Sequence, residues 1–406
     1  MNRALITGVG ITSAIGQGKE RFARALFGGE HAFAYMEREG RRKGSLTFVG
    51  AEIRELANAT RIGERVRRRT SFCGLVALAT VEEAWNDAGL DAVAPERIGL
   101  IVGGSNLQQR EVVNATEAYA SHPVHVSPYY SISLWDTDLC GLCTEAFPVR
   151  GMTYSLGGAS ASGQLAVMQA ARAVESGELD ACIALGALTD LSYLEFQALR
   201  NIGAMGTDRY ADDPSLACRP FDRMRDGFIY GESCGAVVVE GSESAGMRRA
   251  RSYGSIRGYA TATAGNRNPN PDEQCEIAVI RRALKASGLS PAEVDYVSPH
   301  GSGSVIGDTT ELNAVVACEL SHAFINSTKS LTGHGLASAG AVEVIATLLQ
   351  MEAGRLHPSR NLTSPEMPSL NWVGEGAINQ RVRNALCLSY GFGGINTALC
   401  VQHEGL

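Results

Sequence analysis

The stretch Leu156-Gly157-Gly158-Ala159-Ser160-Ala161-Ser162-Gly163 runs into a helical pattern over 160–176, and an apolar strand at 181–185 follows. Glycines and small residues permit a sharp turn into a helix. The turn presents Ser160 at the helix N-terminus, where free backbone N–H groups and the helix dipole favour negative charge. The plain structural role for Ser160 is an N-cap. A helix followed closely by a buried strand is the repeating unit of an α/β fold.

The same rhythm extends both ways. Upstream lie a short strand at 3–7 running into Gly8-Val9-Gly10, a helical pattern near 20–27, a long helix at 72–89 ended by Gly89, and a buried strand at 98–102. Downstream, a strand at 235–240 closes a first half near residue 245. The second half reads strand at 252–260, helix at 275–287, strand at 294–297, helices at 308–318 and 339–353, and strands at 385–389 and 397–402. This alternation predicts mostly parallel sheets covered by helices, in two pseudo-equivalent halves, 1–245 and 246–406. The stretches 202–219 and 262–273 read as loops.

Composition narrows the class. The chain has 406 residues, of which 45% are hydrophobic and 19% charged, enough apolar material for a large core and too much for general disorder. With 46 glycines and 6% aromatics, close helix–sheet packing is expected. A net charge of −7 argues against bulk binding to nucleic acid or to an anionic membrane. The ten cysteines show no framework spacing and read as free, mostly buried thiols of a cytoplasmic protein. Cys140 and Cys143 form a CxxC with no second ligand pair, so packing is expected there and no metal site. The N-terminus lacks a secretory pattern. No stretch approaches the ~20 apolar residues of a membrane span.

Five further segments stand out. Thr7-Gly8-Val9-Gly10 follows a strand, but the next glycine is Gly16, so the dinucleotide fingerprint fails and a tight structural turn is expected. Ser298-Pro299-His300-Gly301-Ser302-Gly303-Ser304 sits just past a strand, and Asn326-Ser327-Thr328-Lys329-Ser330-Leu331-Thr332-Gly333-His334 follows. Two histidines with a lysine among glycines and serines point to a site opening. Gly391-Phe392-Gly393-Gly394-Ile395-Asn396 is a turn that lets backbone approach a ligand, or a plain structural turn. The run 61–69, with Arg61, Arg65, Arg67, Arg68 and Arg69, is the most basic local feature.

These pieces, in this order, resemble the β-ketoacyl synthases of fatty-acid and polyketide assembly. The resemblance spans the whole chain, from Leu5-Ile6-Thr7-Gly8-Val9-Gly10-Ile11 through Arg219-Pro220-Phe221-Asp222-Arg223-Met224-Arg225-Asp226-Gly227-Phe228 and Gly231-Glu232. It continues through His300-Gly301, Asp308, Glu311, the Lys329 and His334 segment, Gly340-Ala341-Val342-Glu343, Leu356-His357-Pro358 and Gly391 to Asn396. It implies a thiolase-like fold: two duplicated βαβαβαββ halves in five layers (αβαβα), normally a homodimer, with no metal or redox cofactor. The family carries a cysteine nucleophile in a Thr-Ala-Cys-type motif; here Gly158-Ala159-Ser160 stands in its place.

The resemblance also assigns roles. His300 and His334 become N–H donors to an enolate oxygen, and Lys329, paired with Glu343, orients the site. Phe392 becomes the gate, its backbone N–H joining that of Ser160 in an oxyanion hole. Ser302 and Ser304 stand where the family often has threonines that bind the phosphopantetheine arm of an acyl carrier protein. A serine hydroxyl is far less acidic than a thiol and needs an adjacent base, so acyl loading is expected to be slow or absent. Decarboxylation of a malonyl thioester needs no nucleophile. Serine-for-cysteine ketosynthases with intact histidines resemble the stand-alone decarboxylases of polyketide β-branching cassettes, which convert malonyl-carrier to acetyl-carrier for a hydroxymethylglutaryl-synthase-like enzyme. The alternatives are a condensing enzyme that uses Ser160 and a non-catalytic, chain-length-factor-like subunit. Retention of both histidines and Lys329 counts against the latter. Arg67, Arg68 and Arg69, with Arg61, Arg65 and Arg209, form the expected carrier-docking patch.

Overall fold

A computed structural model describes residues 3–403. Met1, Asn2 and residues 404–406, at the ends of the two expected halves, lie outside the described residues. The first five main strands are β1 (Ala4–Ser13), β2 (Ile98–Gly103), β3 (Thr153–Leu156), β4 (Ala181–Gly186) and β5 (Ser233–Gly241). They lie side by side as β1-β5-β4-β2-β3. The next five are β6 (Gly254–Thr263), β7 (Tyr296–Ser298), β8 (Phe324–Ile325), β9 (Asn384–Gly391) and β10 (Ile395–Gln402), ordered β6-β10-β9-β7-β8. The two orders are the same when each set is counted from its own first strand. A short antiparallel pairing of β1 with β6, Leu5 opposite Ser255 and Ile6 opposite Gly254, joins them into one sheet path.

The expectation of mostly parallel sheets is corrected. In each set the first two pairings are antiparallel and the last two parallel. Strands β9 and β10 form a hairpin through the 392–394 turn, and a short connection can join only antiparallel neighbours. The sequence hides this because the strands are covered on both faces and read as continuous apolar runs. Along β4, Ala181, Ile183 and Leu185 enter one core while Cys182 and Ala184 enter another.

Helix α1 (Phe72–Ala88) covers the outer face of the first set. Helices α3 (Glu273–Ser287) and α4 (Val305–Ala317) cover the outer face of the second, and α2 (Ser162–Glu175) and α5 (Ala339–Ala353) fill the middle. The result is five layers, αβαβα. The span Leu336–Ala353 is long and apolar enough by composition to cross a membrane, closer than the sequence reading allowed, but 83% of it is buried here as a central core helix. All ten cysteines are free. Cys140 and Cys143 pack in the core beneath α1, and burial pushes the Cys140 thiol up to about 11.

The expected turn at Gly8-Val9-Gly10 is also corrected: β1 runs straight through it. The glycines are there because α1 crosses at contact distance. A Cβ on Gly8 would lie 2.6 Å from the Ala88 Cβ, and one on Gly10 would lie 2.1 Å from the Thr80 carbonyl oxygen. Helix α1 also supplies carboxylates for strand donors beyond the β6 pairing. Val9 N–H donates to Asp87 (2.9 Å) and Ile11 N–H to Glu83 (2.8 Å). Gly10→Val therefore forces α1 off the sheet. Overpacking a core commonly costs ~1–3 kcal/mol, and here the obstacle is backbone, so a melting temperature lowered by several degrees is expected in a thermal scan; an unchanged value would contradict the packing.

Candidate active site

Strand β3 delivers the chain into α2 through a tight turn in which Ala159 adopts φ +47° and residues Ala159–Ala161 form a single 3-10 turn. Ser162, not Ser160, braces it. Its Oγ accepts the Gly158 N–H (2.9 Å) and donates to the Ala159 carbonyl (2.7 Å). The plain N-cap alternative for Ser160 is thus set aside, and its side chain is left to the cavity. That cavity, about 850 Å³, is lined by Ser160, His300, His334, Phe392, Ser302 and Ser304. Lys329 and Glu343 are buried behind it.

His334 is held by its backbone, its N–H donating to Ile229 O (2.7 Å) and its carbonyl accepting from Gly231 N–H (3.2 Å). Its Nδ1 accepts the Leu336 N–H at 3.3 Å. A neutral imidazole with an accepting Nδ1 carries its proton on Nε2, and that Nε2 lies 3.0 Å from Ser160 Oγ. The histidine therefore donates to the serine and cannot take the serine's proton. His300 follows the same logic. Its Nδ1 lies 3.5 Å from the Lys329 Nζ, which has only hydrogens to offer, so Nε2 carries the proton. The two rings meet edge to face, centroids 5.2 Å apart. Burial first, then the Lys329 charge, holds both histidines well below the ordinary imidazole range, so both are neutral.

Supporting contacts fix the donors. The Lys329 ammonium also donates to the His300 carbonyl and to Glu343. Burial pushes Glu343 up to about 7, against the pull of Lys329. Glu311 accepts the His300 N–H (2.6 Å) and the Gly301 N–H (2.7 Å), and burial pushes it up to about 8. Asp308 accepts the Phe221 N–H (2.6 Å) and the Gly303 N–H (3.0 Å). Ser302 Oγ accepts the Ser304 N–H, and Ser304 Oγ caps α4 through the Gly307 N–H. Phe392 stands 44% exposed at the mouth.

Three further contributors were given no site role by the sequence, although Phe228 ends one of the segments that carry the resemblance. The Phe228 ring lies perpendicular to His334 at 5.2 Å, Tyr390 lies against His300 at 5.8 Å, and Thr189 accepts the Ala337 N–H beside the site. The basic residues are not brought to the cavity. Arg67 and Arg68 pair with Glu64, Arg69 stacks on Tyr129 at 4.3 Å, and Arg209 rests against Tyr210 and Met224.

Two neutral N–H donors converging beside an unactivated hydroxyl, on a duplicated five-layer fold, define an enzyme of the ketosynthase type. The chain belongs to the β-ketoacyl synthase family: the family's N-terminal domain matches residues 1–245 and its C-terminal domain residues 253–363. Among relatives, it is 55% identical over 399 residues to the polyketide biosynthesis malonyl-ACP decarboxylase PksF of Bacillus subtilis (strain 168), covering 98% of this chain and 96% of that one. Among solved structures, a β-ketoacyl synthase from Burkholderia phymatum STM815 superposes with a TM-score of 0.89 at 25% identity, over 99% of this chain and 100% of that one. AntDE:AntF, a type II polyketide synthase acyl-carrier protein in complex with its ketosynthase, matches with a TM-score of 0.86 at 25% identity over 99% of each chain. The fold is thus thiolase-like, as the sequence implied.

With ¹⁵N-labelled histidine, His300 and His334 are expected to stay neutral, with the proton on Nε2, from pH 8 down to pH 6. A midpoint near 6.5 for either would refute the donor assignment.

Proposed function

We propose that this chain removes the carboxyl group of a malonyl unit carried on the phosphopantetheine arm of an acyl carrier protein, leaving acetyl on that carrier, within polyketide biosynthesis. The observation that carries the reading is the His334 Nε2–H directed at Ser160 Oγ. Serine acylation would need a base at that nitrogen, and the nitrogen is a donor. Decarboxylation needs only the donors. As the bond between the carboxyl carbon and C2 breaks, its electron pair moves into the C2–carbonyl bond and onto the thioester oxygen. The His300 N–H and the His334 N–H, the latter shared with Ser160 Oγ, both open on the cavity where that oxygen would sit and hold the charge, each such donor being worth ~2.7–4 kcal/mol. Neutral donors suit the task because they give hydrogen bonds without becoming counter-charges for the carboxylate that must leave.

The name of the 55% identical relative supports this substrate, and the carrier complex of a structural neighbour supports the carrier. Ser302 and Ser304 are suited to the pantetheine arm, and the chemistry calls for no metal or redox group. The halves 1–245 and 246–406 divide the work: the first supplies Ser160 and the second His300, Lys329, His334 and the Phe392 loop. A homodimer fits the open edge of β3 and the exposed apolar side chains Val124, Ile132 and Trp135. A cytoplasmic setting suits ten free thiols. The acetyl product suits a hydroxymethylglutaryl-synthase-like enzyme of a β-branching cassette.

Incubating the protein with malonyl-carrier and following the carrier by intact mass is expected to show loss of CO₂ and formation of acetyl-carrier. His300→Ala or His334→Ala should reduce the rate by roughly 10²–10³-fold. Unchanged malonyl-carrier with the wild-type chain would refute the reading. Arg67, Arg68, Arg69 and Arg209 form the proposed carrier-docking surface, set apart from the chemistry. Reversing Arg67, Arg68 and Arg69 to Glu should raise KM for malonyl-carrier several-fold, more so at low salt, and leave kcat unchanged. Equal KM values would remove this patch from docking.

A further inference from the structure

Loss of CO₂ leaves an enolate, and acetyl forms only when C2 gains a proton. A condensing reaction has no such step, since there C2 attacks an acyl group. The proton source must therefore be sought among groups that face the cavity. His300 and His334 each hold a single N–H, that of His334 shared between Ser160 Oγ and the oxygen side, and yielding it would leave an imidazolate. Lys329 lies behind His300, its hydrogens directed to Glu343 and the His300 carbonyl. Glu311 and Asp308 are bound to backbone N–H groups and do not line the main cavity. Tyr390 lines it with its ring, but its Oη is enclosed and out of contact with solvent.

Thr189, Ser302 and Ser304 also line the cavity with hydroxyls, and Glu195 with a carboxylate that accepts from Ser192, but among the described residues only the Ser160 hydroxyl bonds one of the two histidines. Its Oγ accepts from His334 Nε2–H, and its own hydrogen has no acceptor among the described residues. The side chain is only half-buried and lines the cavity.

Resting on the decarboxylase reading, we infer that Ser160 is the proton donor to C2. The enolate electron pair forms the new C–H bond with the hydrogen of the Ser160 hydroxyl, the thioester carbonyl reforms, and the seryl oxygen takes a proton from a water molecule of the open cavity. Hydroxide leaves to solvent, balancing the carboxylate lost as CO₂. A thioester enolate is a stronger base than an alkoxide, so the transfer runs downhill. The His334 N–H that donates to Ser160 Oγ eases it further by holding the oxygen while it gives up its hydrogen. The residue at position 160 thus keeps a hydroxyl for its hydrogen, where the family uses a sulfur for its lone pair.

The test uses Ser160→Ala with malonyl-carrier in buffer containing ¹³C-bicarbonate and carbonic anhydrase. The wild-type chain should form acetyl-carrier with little ¹³C returning to malonyl, because protonation outruns recapture of CO₂. In Ser160→Ala, kcat for acetyl formation should fall ~10²–10⁴-fold, the range for a lost general acid, with KM and melting temperature held. ¹³C should appear in the malonyl carboxyl as the stranded enolate recaptures CO₂. Acetyl formation at the wild-type rate would overturn the inference and leave the decarboxylase reading standing. A loss of both acetyl formation and ¹³C exchange would also overturn it, by placing Ser160 in enolate formation. Failure of the wild-type chain to form acetyl-carrier would instead overturn the decarboxylase reading itself.

Discussion

The site depends on one buried cation. Lys329 is 1% exposed, and its ammonium touches the carbonyl and Nδ1 of His300 and the carboxylate of Glu343. An ammonium has only hydrogens to offer, so every neighbour must accept. That requirement sets the His300 tautomer, adds to burial in keeping both histidines neutral, and ties the loop after β7 to the central helix α5. A buried charge is tolerated only when paired, and removing one partner of such a pair typically costs ~3–5 kcal/mol. Glu343 is that partner. The pair fixes which nitrogen of His300 carries the proton toward the cavity.

The second constraint is steric. Ser160 and His334 are 174 positions apart in sequence and 3.0 Å apart in space. Helices α2 and α5 bring them together, and they can do so because small residues face each other where the helices begin. A Cβ on Gly163 would lie 2.9 Å from the Ala337 carbonyl oxygen, and one on Gly340 would lie 2.8 Å from the Gln164 Cβ. The duplicated strand order delivers each half's central helix into the same middle layer. Closeness of backbones there becomes closeness of catalytic atoms at the cavity.

Much of this was legible in the chain because it is locally encoded. The helix at Phe72–Ala88 ends on Gly89, and the strand at Ala181–Gly186 is an uninterrupted apolar run. His300, Lys329 and His334 announce themselves as polar residues set among glycines and serines just past strands. What failed was encoded at long range. Gly8 and Gly10 look like a turn because local sequence cannot show the helix that crosses them. Antiparallel pairing in each half was hidden by burial of both strand faces. Ser160 and Ser162 are equally placed to cap a helix, and only the geometry of the turn assigns that work to Ser162. Tyr390 and Thr189 are ordinary in sequence and reach the site through contacts with segments far away.

The tautomers explain why the element at position 160 matters so much. A thiol ionises near neutral pH, and an N–H donor beside it stabilises the thiolate without having to remove a proton. The same donor beside a hydroxyl achieves nothing comparable, because the hydroxyl must first lose its proton to a base and the Lys329 and Leu336 contacts have made both imidazoles donors. On the proposed function, one pair of histidines therefore serves two chemistries. With sulfur at the turn, the donors face an acyl-accepting anion and an enolate in succession; with oxygen, only the enolate remains. The change from condensation to decarboxylation needs no rearrangement of the site, only an atom whose acidity falls outside what neutral donors can elicit.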